Sequence, residues 1–196
     1  QNHIDDYPPP DGYRSVYTGG WVPPDLAALG GSTHQHLGGY YGMVKRLDEA
    51  YGRLHDALKS LNLDEDTILL FTSDHGTQGG SQGVNPWSKK NPFDASIHVP
   101  GIIRYPGSIS PGTRTQQIVN MVDWFPTLCG LAGLRVPRSI EGQDRSEILR
   151  NNGDVEQDAA FIMNFSKWFD WFENGAEWRG VRTNTHTYAR WLDGRE

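Results

Sequence analysis

Cysteine is almost absent from the 196-residue sequence, in which Cys129 is the only one. A single cysteine excludes an intrachain disulfide and a metal site built from cysteines. Cys129 lies in the apolar stretch Pro126–Ala132, and we expect a buried structural thiol there. No run approaches the roughly 18–20 apolar residues of a membrane span. The sequence opens without methionine or a signal-peptide pattern, so we expect a piece from the middle of a longer polypeptide.

Basic clusters and the common nucleotide and nucleophile motifs are also missing. The net charge is −6, and the sequence has no cluster of Lys and Arg residues. Both features argue against nucleic acid as a partner. No Gly-x-Ser-x-Gly elbow and no Walker-type loop occur. The high content of glycine, proline and aromatic residues is typical of a loop-rich globular protein.

One long amphipathic helix is predicted from about His36 to Asn62. Up to His36, paired prolines and glycines predict an extended segment without regular structure. Beyond it, apolar residues recur every three or four positions, which places them on one helix face. They are Tyr40, Val44, Leu47, Tyr51, Leu54, Leu58 and Leu61.

A strand-forming run, 67–73, follows the helix and stops at Asp74 and His75. Its β-branched and aromatic residues predict a strand buried on both faces, as in a parallel sheet. Ligands of open α/β sheets bind beyond the carboxyl ends of such strands. A carboxylate and an adjacent imidazole can bind a divalent metal together. Alternatively, one of the two can act as a general base while the other orients it. A capping aspartate next to a half-buried histidine is the alternative interpretation.

The rest of the chain predicts a long loop, short strands and one short helix. The loop covers 76–92, a strand with a Pro-Gly turn covers 99–107, and Asp123 is expected to cap a helix that runs to Ala132. Strands are predicted at 159–165, 178–183 and 187–192. We therefore expect two domains: a main α/β part, 1–152, and a small antiparallel subdomain, 153–196.

Several basic residues are candidates for a site. Lys89 and Lys90 lie in the loop after the strand and could present positive charge to an anionic substrate. His34 and His36 are expected to flank a helix rather than to chelate a metal. His55 and His186 are expected to be structural or exposed.

In their order and spacing these segments resemble the sulfatase branch of the alkaline-phosphatase-like superfamily. The resemblance spans about residues 36–192 and is carried by Tyr40-Tyr41-Gly42, Asp66–Gly76, Lys89 with Phe93-Asp94, Val99–Gly107, Asp123–Leu128 and Trp178–Thr183. It implies an α/β fold with a mixed, mainly parallel sheet flanked by helices. It also implies a sulfated small molecule or glycan as substrate.

The resemblance implies roles for individual residues. Asp74 and His75 would be metal ligands, with Ca²⁺ as the usual metal and Mg²⁺ or Mn²⁺ as alternatives. Lys89, four residues before the aromatic-acidic pair, would stabilise charge on the sulfate oxygens. His3, ahead of a proline-rich segment, would contact the sulfate.

The resemblance also has departures. Sulfatases use a formylglycine made from a Cys/Ser-x-Pro-x-Arg motif, and this sequence has no such motif. Asp5-Asp6 follows no strand and is not assigned to the metal site. We therefore expect the C-terminal portion of a sulfatase, truncated at both ends and inactive alone. His98 stands where sulfatases commonly have arginine, and Gln82 where some have histidine, which leaves the subfamily open.

Two other functions fit these residues. A phosphodiesterase or phosphonate monoester hydrolase of the same superfamily would share the Asp-His pair and the metal. A catalytically dead relative could bind carbohydrate through the aromatic segment Phe165–Phe172, although such a segment more commonly packs as a hairpin. The sequence leaves the compartment open, and both the periplasm and secretion fit.

Overall fold

The computed structural model describes residues 9–17, 19–29, 33–84, 88–151, 159–165 and 177–194. The chain forms two compact units. The first comprises Gln1–Asp64, His75–Lys89 and Asp94–Val99, and the second comprises Glu65–Asp74, Lys90–Phe93 and Pro100–Glu196. The predicted division at residue 152 lies outside the described residues and stays a prediction.

The first unit is built on a long helix. Helices α1 (Tyr13–Val16) and α2 (Pro24–Leu29) precede α3 (Thr33–Ser60), and α4 (Asp94–Ile97) follows. The expectation of an extended segment up to His36 is therefore wrong over α1 and α2. Pro24 opens α2 at the first helical position, where its missing N–H costs no hydrogen bond.

The end of α3 agrees with the prediction. Asn62 has a left-handed φ of 56°. Its N–H donates to Lys59 O at 3.0 Å, and Leu63 N–H donates to Leu58 O at 2.9 Å. This pair of bonds is a Schellman motif, in which asparagine tolerates the left-handed position. His34 and His36 lie in the first turns of α3.

The apolar face predicted on α3 is largely exposed. The exposed side chains are Tyr40, Val44, Leu47, Leu54 and, just beyond the helix, Leu61. The contact with α1 is made instead through small residues, because a Cβ added to Gly42 would come within 3.0 Å of the Tyr13 and Pro9 side chains. The face that periodicity identifies is thus apolar but has no cover within the described residues.

The second unit begins with a two-stranded sheet. Strand β1 (Leu69–Thr72) pairs antiparallel with β2 (Gly101–Arg104), with Leu70 opposite Ile103. Parallel neighbours for β1, expected from its apolar run, are not found among the described residues. Only Leu69 of the strand is fully buried. Apolar composition cannot distinguish parallel from antiparallel pairing, and the two predicted strands pair with each other.

Around helix α5 (Trp124–Leu131) the second unit has a buried polar core. Asp123 precedes the helix but makes no side-chain cap bond to it, so the predicted cap is wrong. Its carboxylate accepts instead from Asn120 N–H at 3.0 Å and Gln143 N–H at 2.8 Å, and it pairs with Arg145. Asn120 accepts from Met121 N–H in the reciprocal capping box of the preceding turn. Cys129 on α5 is half-buried rather than buried.

A three-stranded antiparallel sheet completes the second unit, after helix α6 (Ser146–Asn151). Strands β3 (Ala159–Asn164), β4 (Trp178–Thr183) and β5 (Thr187–Trp191) pair in chain order, as predicted. The Asn120 amide donates to Phe161 O at 2.9 Å and links β3 to the turn before α5. None of the helices in the described ranges is both long and apolar enough to cross a membrane.

Candidate active site

Asp74 lies two residues beyond the end of β1, where the sequence placed it. Its carboxylate is exposed and accepts from Ser73 Oγ at 3.3 Å. The carboxylate thus lies at the solvent-exposed carboxyl end of β1. Asp74 belongs to the second unit, and the next residue opens a segment of the first.

His75 is half-buried, and its ring lies against the backbone carbonyl of the next residue. Nδ1 lies 3.0 Å from the carbonyl oxygen of Gly76. A protonated Nδ1 donating to this carbonyl leaves Nε2 as the nitrogen with a lone pair. A backbone carbonyl on the far ring nitrogen is the usual arrangement that fixes the tautomer of a metal-binding histidine.

Gly76 lets the chain leave His75 in close contact with α4. Its N–H donates to Ser96 O at 2.8 Å. A Cβ at this position would overlap the carbonyl oxygen of Ala95. No residue larger than glycine fits without displacing the backbone of α4, so the path of the chain beyond His75 is fixed by steric contact.

Lys89 lies in the segment 88–90, which has no regular secondary structure. It is half-buried, and the preceding residue, Ser88, accepts through its carbonyl oxygen from Gln78 N–H at 2.8 Å. The segment with Lys89 is thereby bonded to the loop that follows His75. Lys90 faces a different neighbour, since its carbonyl oxygen accepts from Trp178 Nε1 at 2.5 Å.

Gln78 is a residue of this site that the sequence did not reveal. It is 1% exposed, and its Nε2 donates to Ser96 Oγ at 2.6 Å, with Ser96 2% exposed. Nothing in a loop rich in glycine, glutamine and serine distinguishes Gln78 from its exposed neighbour Gln82. Gln78 is identified by its burial in the tertiary structure, which cannot be predicted from a single sequence.

The remaining candidates lie apart or outside the described residues. His3, Asp5 and Asp6 are outside, and so is most of the aromatic segment, of which Phe165 is 70% exposed. His98 and Gln82 are exposed, as is His186, and His55 is half-buried. Among the described residues, no three His, Cys, Asp or Glu side chains come together as a metal-binding group. Asp74 and His75 would therefore supply only part of a metal shell.

Sequence comparisons place the whole chain in one family. A sequence model of the sulfatase family matches residues 1–134, and a model of the C-terminal part of N-sulphoglucosamine sulphohydrolase matches residues 84–195. The ulvan-active sulfatase of Formosa agariphila is 36% identical over 163 residues, which are 83% of this chain and 32% of that protein. The chain thus spans about a third of the length of this relative.

Solved structures share the fold. The structure of yidJ from Bacteroides fragilis superposes with a TM-score of 0.79 at 26% identity, covering 93% of this chain and 41% of that one. BT4656, solved with its substrate D-glucosamine-2-N,6-O-disulfate, gives a TM-score of 0.70 at 27% identity, with 90% and 35% covered.

A second class of enzyme has the same fold. The phosphonate monoester hydrolase of Agrobacterium radiobacter gives a TM-score of 0.67 at 30% identity and covers 81% of this chain and 33% of that one. Both sequence models match more than half of the chain and both describe sulfatases. The α/β fold predicted from the sequence is confirmed, and the chain belongs to the sulfatase family.

Proposed function

We propose that this chain is the C-terminal portion of a sulfatase that hydrolyses sulfate esters of glycans. The observation that carries the proposal is the strand end at Asp74 and His75, where Nδ1 of the imidazole lies 3.0 Å from Gly76 O. Family membership gives this pair its chemical context. A sulfated sugar as substrate class is supported by the relatives, one of which binds D-glucosamine-2-N,6-O-disulfate.

The donor set of the pair fits a divalent cation. A carboxylate oxygen suits Ca²⁺, Mg²⁺ and Mn²⁺, whereas an imidazole nitrogen favours the transition metals among divalent ions. We propose Ca²⁺, with Mg²⁺ or Mn²⁺ as alternatives, held by Asp74 and His75 together with ligands from elsewhere in the polypeptide. When bound, the metal supplies positive charge to the sulfate oxygens.

Lys89 is proposed as the second source of positive charge. An ammonium held in a half-buried segment interacts more strongly with an anion than one in open solvent, because less water screens it. A cation fixed beside a sulfate stabilises the negative charge that develops as the ester bond breaks. The bond between Gln78 N–H and Ser88 O limits the movement of this segment. His3 is a further proposed sulfate contact.

The catalytic nucleophile is proposed to come from beyond this sequence. By resemblance it is a formylglycine, and the motif that would form it is absent here. Two observations support an origin in a longer protein: the chain spans 32% of a relative, and α3 exposes a row of apolar side chains. The rest of a sulfatase domain would cover that row. Alone, the chain is proposed to be inactive.

The test is hydrolysis of 4-nitrophenyl sulfate and D-glucosamine-2-N,6-O-disulfate by the complete polypeptide that contains this chain. EDTA should abolish turnover, and separate return of Ca²⁺, Mg²⁺ and Mn²⁺ should identify the metal. Asp74→Asn and His75→Gln remove proposed direct ligands and should weaken metal binding at least as much as the roughly 10–100-fold that loss of a group supporting a ligand costs. Lys89→Met should lower kcat about 10²–10³-fold, the usual cost of one group that stabilises transition-state charge.

Lys90→Met is the matched control for Lys89, because it removes the same charge at the adjacent position and leaves the backbone carbonyl that accepts from Trp178 Nε1. Equal losses in both lysine variants would contradict the role of Lys89. Absence of sulfate-ester hydrolysis in the metal-loaded wild-type protein would refute the proposed function.

A phosphonate monoester hydrolase is the second candidate, favoured by the likeness to the enzyme of Agrobacterium radiobacter. The metal pair and the lysine would serve a phosphonate ester equally, since both substrates present anionic oxygens to cations. The ratio of kcat/KM for 4-nitrophenyl sulfate and 4-nitrophenyl phenylphosphonate separates the two activities. A ratio below one would replace the sulfatase proposal with this one.

A further inference from the structure

Gln78 is the most deeply buried polar side chain near the proposed site. The residue is 1% exposed, so its side-chain amide is buried from solvent. Burial of an amide costs free energy unless its polar atoms find partners. Nε2 has one in Ser96 Oγ at 2.6 Å, whereas Oε1 has no hydrogen-bond partner within the described structure.

Hydrogen bonds of Gln78 join three segments of the first unit. Its N–H donates to Ser88 O at 2.8 Å, and its carbonyl accepts from Ser81 N–H at 2.8 Å. Its side chain reaches Ser96 on α4, whose carbonyl also receives Gly76 N–H. The loop beyond His75 and the segment that enters Lys89 are thus held against the same helix through one residue.

Stability alone is a poor explanation for an amide at this position. A buried carbonyl oxygen without a partner destabilises the folded protein, whereas a matched pair of apolar groups of the same shape is nearly neutral. Methionine at 78 with alanine at 96 would fill the same space without an orphaned oxygen. The amide fixes the conformation of the loop, because its hydrogen bond to Ser96 Oγ holds the Gln78 side chain in one orientation.

We propose that Gln78 is a positioning residue of the sulfatase site, acting with Ser96 to hold the backbone that presents His75 and Lys89. The inference rests on the proposed function for its chemistry and on the hydrogen bonds for its geometry. Gln78 touches neither substrate nor metal in this proposal. Its loss should therefore affect metal affinity and kcat more than KM or global stability.

The experiment uses the complete polypeptide and the variants Gln78→Met, Ser96→Ala and the double variant. Titration calorimetry measures the binding of Ca²⁺ and Mn²⁺ to metal-free protein. Hydrolysis of 4-nitrophenyl sulfate gives kcat and KM, and scanning calorimetry gives the Tm. Gln78→Met should weaken metal binding and lower kcat about 10–100-fold, the usual range for groups that orient metal ligands. KM should stay within threefold.

Ser96→Ala should act in the same direction, and the double variant should lose no more than Gln78→Met alone, because both changes break one interaction. Gln143→Met, at an exposed glutamine of the second unit, is the control and should match wild type. If Gln78→Met does not fold, the milder Ser96→Ala decides.

Metal affinity and kcat within twofold of wild type in the folded variants would overturn the inference and leave the proposed function standing. Losses that match the fraction of unfolded protein would overturn it as well. A wild-type protein that binds metal but hydrolyses no sulfate ester would refute the proposed function, and the metal titrations would then decide the role of Gln78. A wild-type protein that does neither would refute both.

Discussion

Arg145 and Asp123 form an ion pair buried from solvent on both sides. Arg145 Nε lies 3.5 Å from Asp123 Oδ2, and the two side chains are 2% and 4% exposed. The two side chains differ in the number of hydrogen bonds that stabilise their charges. Asp123 also accepts two backbone N–H bonds, whereas Nε and Nη2 of Arg145 have no hydrogen-bond partner within the described ranges.

Loss of the aspartate should therefore cost more than loss of the arginine. Asp123→Asn leaves a buried guanidinium without its counter-charge, and removal of one partner of such a pair costs about 3–5 kcal/mol. Arg145→Met leaves a carboxylate that two backbone N–H groups still stabilise, so we expect a smaller loss. Urea unfolding of the purified protein measures both. A larger loss for Arg145→Met would contradict the asymmetry.

Gly76→Ala should destabilise the protein and disturb the position of His75. The added methyl group would overlap Ala95 O, and forced overpacking costs about 1–3 kcal/mol or more. The matched change is Gly52→Ala within α3, where the methyl group meets nothing within 4 Å. There we expect a gain of about 0.5–1 kcal/mol, because alanine favours a helix interior. Thermal unfolding distinguishes the two, and equal effects would contradict the steric argument.

Acid stability should depend on Tyr13. Its hydroxyl donates to Glu49 Oε2 at 2.5 Å and lowers the pKa of Glu49 below its ordinary 4.5. The same bond raises the pKa of Tyr13 above its ordinary 10.0. The Glu49 contribution is present above pH 4.5 and is lost as the pH falls through the lowered pKa. The Tyr13 contribution is present below pH 10 and is lost as the pH rises through the raised pKa.

Tyr13→Phe should flatten both limbs of the curve of unfolding free energy against pH, measured by urea titration from pH 3 to 11. Tyr105→Phe in the second unit serves as the control. A Tyr13→Phe protein with wild-type slopes in both limbs would show that the hydrogen bond does not form in solution.

The exposed row on α3 should be covered in the complete polypeptide. Leu47 is 45% and Leu54 50% exposed here. If further residues bury them, Leu47→Ala and Leu54→Ala should each cost about 2–5 kcal/mol in that protein, the range for buried leucines. Leu134→Ala, at a position 64% exposed in the second unit, should change stability by less than about 0.5 kcal/mol. Small effects at all three positions would contradict coverage of the helix.

Local signals made much of this architecture predictable. Helix α3 and its stop at Asn62 follow from periodicity and a left-handed residue, and the strand end at Asp74 follows from the apolar run before it. Strands β3, β4 and β5 agree closely with their predicted bounds. Each of these features depends on neighbours in the sequence.

Features set by distant residues could not be predicted. Asp123 looked like a helix cap, but Gln143 and Arg145, some 20 positions later, compete for its carboxylate. The burial of Gln78 depends on Ser96 in another segment. The pairing of β1 depends on β2, about 30 residues further along. No local pattern records such partners.

The hydrogen bond from Trp178 to Lys90 O has a consequence for protein engineering. An indole in β4 holds the backbone of Lys90, so the terminal sheet and the segment Lys90–Phe93 of the same unit depend on each other. Chimaeras that exchange this sheet between sulfatases should supply a partner for that carbonyl, either by retaining tryptophan at 178 or by transferring Lys90–Phe93 together with the sheet.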